Sequence, residues 1–245
     1  MKLNMMPQCS YIVPSLDKGS HTMIKQATFA LTTAMLCTAA SADFNDRIGT
    51  QYVNLAAGAS MVSDTDFEAG TALVPLTVDN EYDTGYVLSA ETGYNFGQFY
   101  FIDNVKLGLE VAYSQNDIDT HSAGGANLTG PTGELDAFTF MANMSHEYDT
   151  GTKFVPYYGL GVGIAAIDAN DYGVNAVPNA LDDGDESFAY QVNAGVNYMV
   201  NPALDMGVNY RYAATSGIEL TGAGGTSSDF DYESNNLTFN LNYRY

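Results

Sequence analysis

The sequence predicts an all-β chain, an eight-stranded antiparallel up-and-down transmembrane β-barrel. Three observations lead there. Apolar and polar residues alternate with a period of two along segments of about ten residues. After Asp43 no stretch reaches the run of about 18 apolar residues that a membrane helix needs. The connections between the alternating segments are short and long by turns, as in a barrel whose strands run up and down.

Composition agrees with strands and turns. The 245 residues suffice for one domain. Apolar types make up 46% of them, yet mean hydropathy is only −0.11, so apolar and polar residues are finely interleaved. Tyr (18) and Gly (24) are frequent, Trp is absent, and Lys plus Arg total 8. This mixture suits strands and turns better than helices. The formal charge of −21 is spread along the chain rather than gathered in one tail. Such a surface repels phosphate backbones, so nucleic acid is excluded as a partner class.

The chain divides into three parts. Residues 1–22 show no periodic pattern and read as a start-site extension or a disordered leader. Residues 23–42 read as a secretory signal peptide: Lys25 gives its start a positive charge, Ala27 to Ala40 is an uncharged, mostly apolar core, and Ala40-Ser41-Ala42 is a small-residue cleavage site. Residues 43–245 form the mature barrel. Cleavage removes Lys2, Lys18 and Lys25 but only one acid, Asp17, so the mature chain is more acidic still. Both cysteines, Cys9 and Cys37, are lost with it, which excludes a disulfide framework.

The strands follow in order. The first two alternating segments lie at about 49–62 and 84–96. In the third, Val105, Leu107, Leu109, Val111 and Tyr113 alternate with Lys106, Gly108, Glu110 and Ala112. Segments at 135–146 and 154–167 come next. Then Phe188, Tyr190, Val192, Ala194, Val196 and Tyr198 alternate with Gln191, Asn193, Gly195 and Asn197. Leu204, Met206, Val208, Tyr210 and Tyr212 alternate with Asp205, Gly207, Asn209 and Arg211. The last segment sets Leu237, Phe239, Leu241, Tyr243 and Tyr245 against Asn236, Thr238, Asn240, Asn242 and Arg244. In each, the apolar row is expected to face lipid and the polar row the lumen.

Short connections fall near Gly97–Asp103, Glu147–Lys153 and Met199–Ala203; long loops fall near Ser63–Asp83, Asn116–Gly133, Asp168–Asp185 and Thr215–Asp231. Short turns then face the periplasm, long loops face outward, and both chain ends lie on the periplasmic side. Closure is required, because an open sheet edge in lipid leaves backbone donors and acceptors unpaired. Tyr94, Phe96, Phe154, Tyr198, Tyr243 and Tyr245 fall near one set of strand ends; Tyr52, Tyr86, Tyr113, Tyr190 and Tyr212 fall nearer the other or at mid-strand. Rings at both interfaces would form girdles.

FVPYYGLGVGIAAID (154–168), YQVNAGVNYMVNPALDMGVNYRY (190–212) and the terminal LTFNLNYRY (237–245) resemble the small outer-membrane β-barrel family, which includes OmpA-like transmembrane domains and Opa-like surface antigens. The resemblance implies an outer-membrane location. It also implies insertion by the barrel-assembly machinery through the last strand, with Phe239, Leu241, Tyr243 and Tyr245 as the matching signal.

The chemistry-bearing candidates are the charges on the inward rows: Glu91, Lys106, Glu110, Asp205, Arg211 and Arg244. Glu91 and Lys106 lie on neighbouring strands, as do Arg211 and Arg244; an eight-stranded barrel is only wide enough for its own side chains, so opposite charges there are expected to pair. The expected result is a polar, plugged lumen with an ionic network that is structural or, in a second reading, gates a narrow ion path. The inward glycines 58, 93, 108, 159, 161, 163, 195 and 207 leave space, to be filled by neighbours such as Tyr52, Tyr157 and Met141.

Catalysis is not expected. His121 lies beside Ser122 with Asp117 and Asp119 near; His146 lies between Ser145 and Glu147 at a short turn. Adjacent residues on a strand point to opposite faces, so Ser145 and His146 make a poor pair. Asp182-Asp183-Gly184-Asp185-Glu186 and Asp64, Asp66, Glu68 are hard oxygen ligands at the outer rim, but neither matches an EF-hand loop. They could hold divalent ions weakly as a bridge to lipopolysaccharide. No defined metal site or cofactor is predicted. The expected role is structural or one of adhesion and recognition, by a monomer in outer-membrane lipid and lipopolysaccharide whose acidic loops meet an extracellular ligand. A narrow channel is the alternative, and a lipid-modifying enzyme a distant third.

Overall fold

The computed structural model describes residues 49–245, except 72–73, 100–101, 124–125, 128–131, 175–176, 202 and 222–226. The expected leader (1–22) and signal peptide (23–42) lie outside the described residues. The strands are β1 (Gln51–Val62), β2 (Thr65–Thr71), β3 (Val74–Tyr82), β4 (Gly85–Phe99), β5 (Ile102–Ala123), β6 (Ala126–Asn127), β7 (Thr132–Glu147), β8 (Phe154–Val174), β9 (Val177–Asn201), β10 (Leu204–Thr215), β11 (Ile218–Thr221), β12 (Ser227–Phe230) and β13 (Glu233–Arg244).

Eight of these close a ring. Its order is β5-β4-β1-β13-β10-β9-β8-β7, and β7 pairs back onto β5, with every pair antiparallel. Closure leaves no sheet edge in the ring, so its backbone polar groups pair internally. The first and last strands meet, with Tyr52 opposite Arg244 and Val62 opposite Ser234. Gln51 and Tyr245 exchange backbone hydrogen bonds, so the described ends of the chain lie together at the end that carries the short turns.

The expected long loops are largely β-structure. The first folds into the hairpin β2–β3, whose second strand pairs with the far part of β5. The stretch expected as a loop at 168–185 is instead the continuation of β8 and β9, which stay paired as far as Val174 and Val177. Another hairpin, β11–β12, lies within the last long connection. Strands β5, β8 and β9 reach 22, 21 and 25 residues. A bilayer is crossed by about 9–11, so these strands continue well beyond it.

The polarity of the two faces inverts along the strands. In the half near the turns, the outward row is apolar: Leu109, Phe140, Met144, Leu160, Val162, Val208 and Phe239 are exposed, Phe239 at 76%. Towards the loops the outward row becomes Asp117 on β5, Asp136 on β7 and Asp168 on β8. The inward row inverts at the same level, from polar residues to Ile118, Leu135, Ala137, Ala165, Ile167 and Ala169. The lumen is therefore not polar throughout, as expected from the strand pattern, because the loop half stands in water and needs an apolar interior.

Val105 departs from its expected lipid-facing place and is buried. It sits opposite register shifts at Asn95–Gly97 and beside Asn104, whose φ of +55° breaks the alternation.

Aromatic rings gather towards the turn end. Tyr94 packs edge-on against Phe96 at 4.9 Å, Phe154 lies tilted 5.2 Å from Tyr198, and Tyr243 stacks on Tyr245 at 6.2 Å. Near the level of inversion Tyr86 lies 6.1 Å from Tyr113, and the Tyr113 hydroxyl donates to Asp136. Such rings suit a boundary between lipid and water.

Candidate functional site

The candidate site is the lumen, and the strand phase decides what enters it. Inward positions on β5 carry Lys106 and Glu110; β10 carries Asp205 and Arg211; β13 carries Arg244; all are buried. Glu91 on β4 is half-buried.

Ion pairs link these groups. Arg211 Nη2 lies 2.5 Å from Glu110 Oε2. Arg244 is paired with Asp205, and its Nη2 is also 3.5 Å from Glu147 Oε1. Lys106 Nζ is 3.2 Å from Glu147 Oε1. Glu147 is the member that sequence reasoning missed, since it falls in an expected turn. The strand runs one residue further than expected, which places Glu147 on the inward row of β7. The odd numbering shared by Leu135, Met141, Asn143 and Glu147 is the signal that could have found it.

Glu91 does not pair with Lys106. It lies directly opposite Glu110, while Lys106 lies opposite Asn95. Neutral donors hold Glu91 instead. The Tyr52 hydroxyl donates to Oε1 at 2.5 Å, and Asn143 Nδ2 donates to Oε2 at 2.6 Å. Gln191 extends the chain, donating to Asn143 Oδ1 at 2.7 Å. Lys106 Nζ lies 4.1 Å from the centre of the Tyr52 ring, a cation–π contact.

Tyr52 is thus inside the barrel, 1% exposed, rather than in a girdle. It fits because two facing residues have no side chain: a Cβ at Gly93 or Gly108 would collide with its hydroxyl. Tyr157 and Met141 occupy the space over Gly195 and Gly163 in the same way.

One wall of the lumen is an amide ladder. Asn236, Thr238, Asn240 and Asn242 on β13, with Asn209 on β10 and Asn193 on β9, turn inward and are buried. Asn240 donates to Asn197 at 2.7 Å. The Oδ1 atoms of Asn193, Asn209, Asn236, Asn240 and Asn242 accept no hydrogen bond from protein.

The loop half of the lumen holds an apolar cluster. Val62, Ile118, Leu135 and Ile167 gather there with Met141 at its turn-side edge, and Ile218 and Tyr232 reach in from the last connection. The Tyr232 hydroxyl comes within 3.4 Å of Ser114 Oγ on β5. Burial pushes the Tyr232 phenol above its usual range, so it stays neutral.

His146 lies on the outer wall with its ring 5.4 Å from Tyr158, as the alternation on β7 requires. The side chains of His121, Asp66, Glu68 and Asp182 lie outside the described residues. No group of three His, Cys, Asp or Glu side chains able to hold a metal ion occurs among the described residues.

The sequence pattern of the outer membrane protein β-barrel domain family matches residues 28–245. The outer membrane protein PagN of Salmonella typhimurium is 22% identical over 189 residues, which cover 71% of this chain and 74% of PagN. The crystal structure of the outer membrane protein OprG from Pseudomonas aeruginosa shares the fold at 15% identity, with a TM-score of 0.51 over 80% of this chain and 96% of that one. Neisserial surface protein A matches at 18% identity, with a TM-score of 0.49 over 80% and 97% of the two chains.

Proposed function

The chain belongs to the outer membrane protein β-barrel domain family, and from that premise we propose that it is a plugged barrel that presents acidic β-hairpins for recognition or adhesion outside the cell. The family places the wall of the barrel in outer-membrane lipid. The observation that carries the plug is the double filling of the lumen. Ion pairs around Glu110, Arg211, Glu147 and Arg244 occupy one half, and the cluster around Leu135, Ile167, Ile218 and Tyr232 occupies the other. A ring of eight strands has little more room than such side chains take up.

The loop end supports the recognition reading by its charge. The connecting segments 63–84, 115–134, 168–187 and 215–234 contain no Lys or Arg at all, yet each holds several acids, among them Asp83, Glu134, Asp171 and Asp231. The only cations of the spanning strands, Lys106, Arg211 and Arg244, are buried in the lumen. Charge of one sign at an exposed rim steers association with partners of the opposite sign. This barrel is read as non-catalytic and monomeric. Phe239, Leu241 and Tyr243, exposed on the last strand, with Tyr245 after it, suit docking to the assembly machinery.

The second reading, a narrow cation path, is favoured by the amide ladder on β13 and β10. Planar-bilayer conductance of the refolded mature chain decides between the two. A silent membrane is expected. Steady cation-selective current would overturn the plug and make Glu91, Lys106, Glu110 and Arg211 a gate.

A further inference from the structure

We propose that a groove across the outer wall of β4, β5, β7 and β8 holds one phospholipid by an acyl chain, with the headgroup end at Tyr94 and Gln51. The groove originates in side-chain length. Thr92, Leu109 and Ala142 lie side by side on one outward rung, and Tyr94, Leu107 and Met144 on the next rung towards the turns. Thr92 and Ala142 are short and Leu107 is only partly exposed, whereas Leu109 is 52% and Leu160 55% exposed. Short residues beside long ones leave a depression of about 760 Å³, which all of these residues line. Ligand sites commonly measure about 300–1,000 Å³.

The depression is apolar along its length and polar at one end. The Thr92 hydroxyl donates to the Tyr52 carbonyl at 3.1 Å, so it is tied to the sheet. Asn143 lines the groove too, but its amide points the other way, to Glu91 in the lumen. Towards the turns the lining ends at Phe96, Tyr94 and Gln51. Gln51 is exposed and lies directly opposite Tyr94, whose ring packs edge-on against Phe96. Tyrosine suits the level at which acyl chains give way to headgroups, and the exposed amide beside it offers hydrogen-bond donors.

Two observations choose the occupant. The groove is continuous with the lipid-facing wall, where Phe140 and Val162 are exposed and where the family places lipid. Its concave shape disfavours a second copy. A two-fold interface sets the same patch on both partners, and two facing depressions leave a void without packing contacts. A flexible acyl chain follows such a surface and fills it.

The test is native mass spectrometry of the mature chain, refolded in an uncharged detergent with dioleoyl phosphatidylethanolamine added. The expected species is a monomer carrying one lipid. Ala142→Phe fills the groove from an exposed position and should abolish that adduct, whereas Ala57→Phe, exposed on β1 outside the groove, should keep it. If Ala142→Phe fails to fold, NMR cross-relaxation of the wild type in deuterated detergent decides. The Ala142 and Met144 methyls should then show contacts to the lipid chain that Leu237 and Leu241, exposed on the opposite wall, lack. No adduct, an adduct that both variants keep or both lose, or equal contacts around the barrel would overturn the proposal. So would a dimer that Ala142→Phe dissociates, which would give the groove to a second copy.

Discussion

In the half of the barrel near the turns, ions and amides point into the lumen, and the wall outside them is apolar. In the half beneath the hairpins, Leu135, Ala137 and Ile167 face the lumen, and Asp136 and Asp168 lie on the outward row. The same strands, β5, β7 and β8, run through both halves without changing phase. What changes is the solvent. Lipid outside rewards apolar residues on the wall and leaves polar ones for the interior. Water outside reverses the preference, and the interior becomes an ordinary hydrophobic core. The point of reversal, near Tyr113 and Phe138, marks the outer boundary of the lipid-facing band.

The comparison breaks most sharply at Glu110. Glu110→Ala leaves Arg211 buried without its partner and should destabilise the barrel by about 3–5 kcal/mol. Urea unfolding in lipid vesicles measures it. A loss below about 1 kcal/mol, the size of an exposed pair, would mean that water reaches the turn half freely.

On the wall, Leu109→Arg places a charge on an exposed, lipid-facing position of β5. It should lower stability by about 2–4 kcal/mol in vesicles if it lies near the midplane. Normal folding there would overturn the assignment of inside and outside.

The smallest effect belongs to the loop half. Ile167→Ala truncates a fully buried side chain and should cost about 2 kcal/mol, the low end for such changes, because the paired strands around it persist. The exposed Glu186→Gln, on the adjoining strand, is the control and should stay within about 0.5 kcal/mol. An Ile167→Ala effect as small as the control would show that the apolar cluster is loosely packed.

Much of the fold was legible because alternation is a local property. Residue parity alone assigns Leu237, Phe239 and Leu241 to the wall, and Asn236, Thr238 and Asn240 to the lumen, where all three are buried. The closing pairs follow from the number of segments and from the short turns between them.

The site was legible only in part. Parity places Lys106, Glu110, Asp205, Arg211 and Arg244 in the lumen, but it cannot say which of them touch. Register decides that, and register depends on bulges such as those at Asn95–Gly97 and on strand ends such as Glu147. The inverted phase is visible in Leu135-Asp136-Ala137 and Ile167-Asp168-Ala169, where the apolar residues carry inward parity. Beyond the lipid-facing band, however, the same acids that mark an exposed strand face also mark a loop, and parity alone does not separate the two.

The sequence by itself therefore determined the class of fold, the two faces of each strand and the acidic character of the hairpin end, since each follows from residue type and a period of two. Only the tertiary structure decided the ion-pair partners, the place of Tyr52 over Gly93 and Gly108, and the apolar core beneath the hairpins. Those depend on which strands become neighbours when the ring closes, and contacts across a closed ring join residues far apart in the chain, such as Glu110 and Arg211.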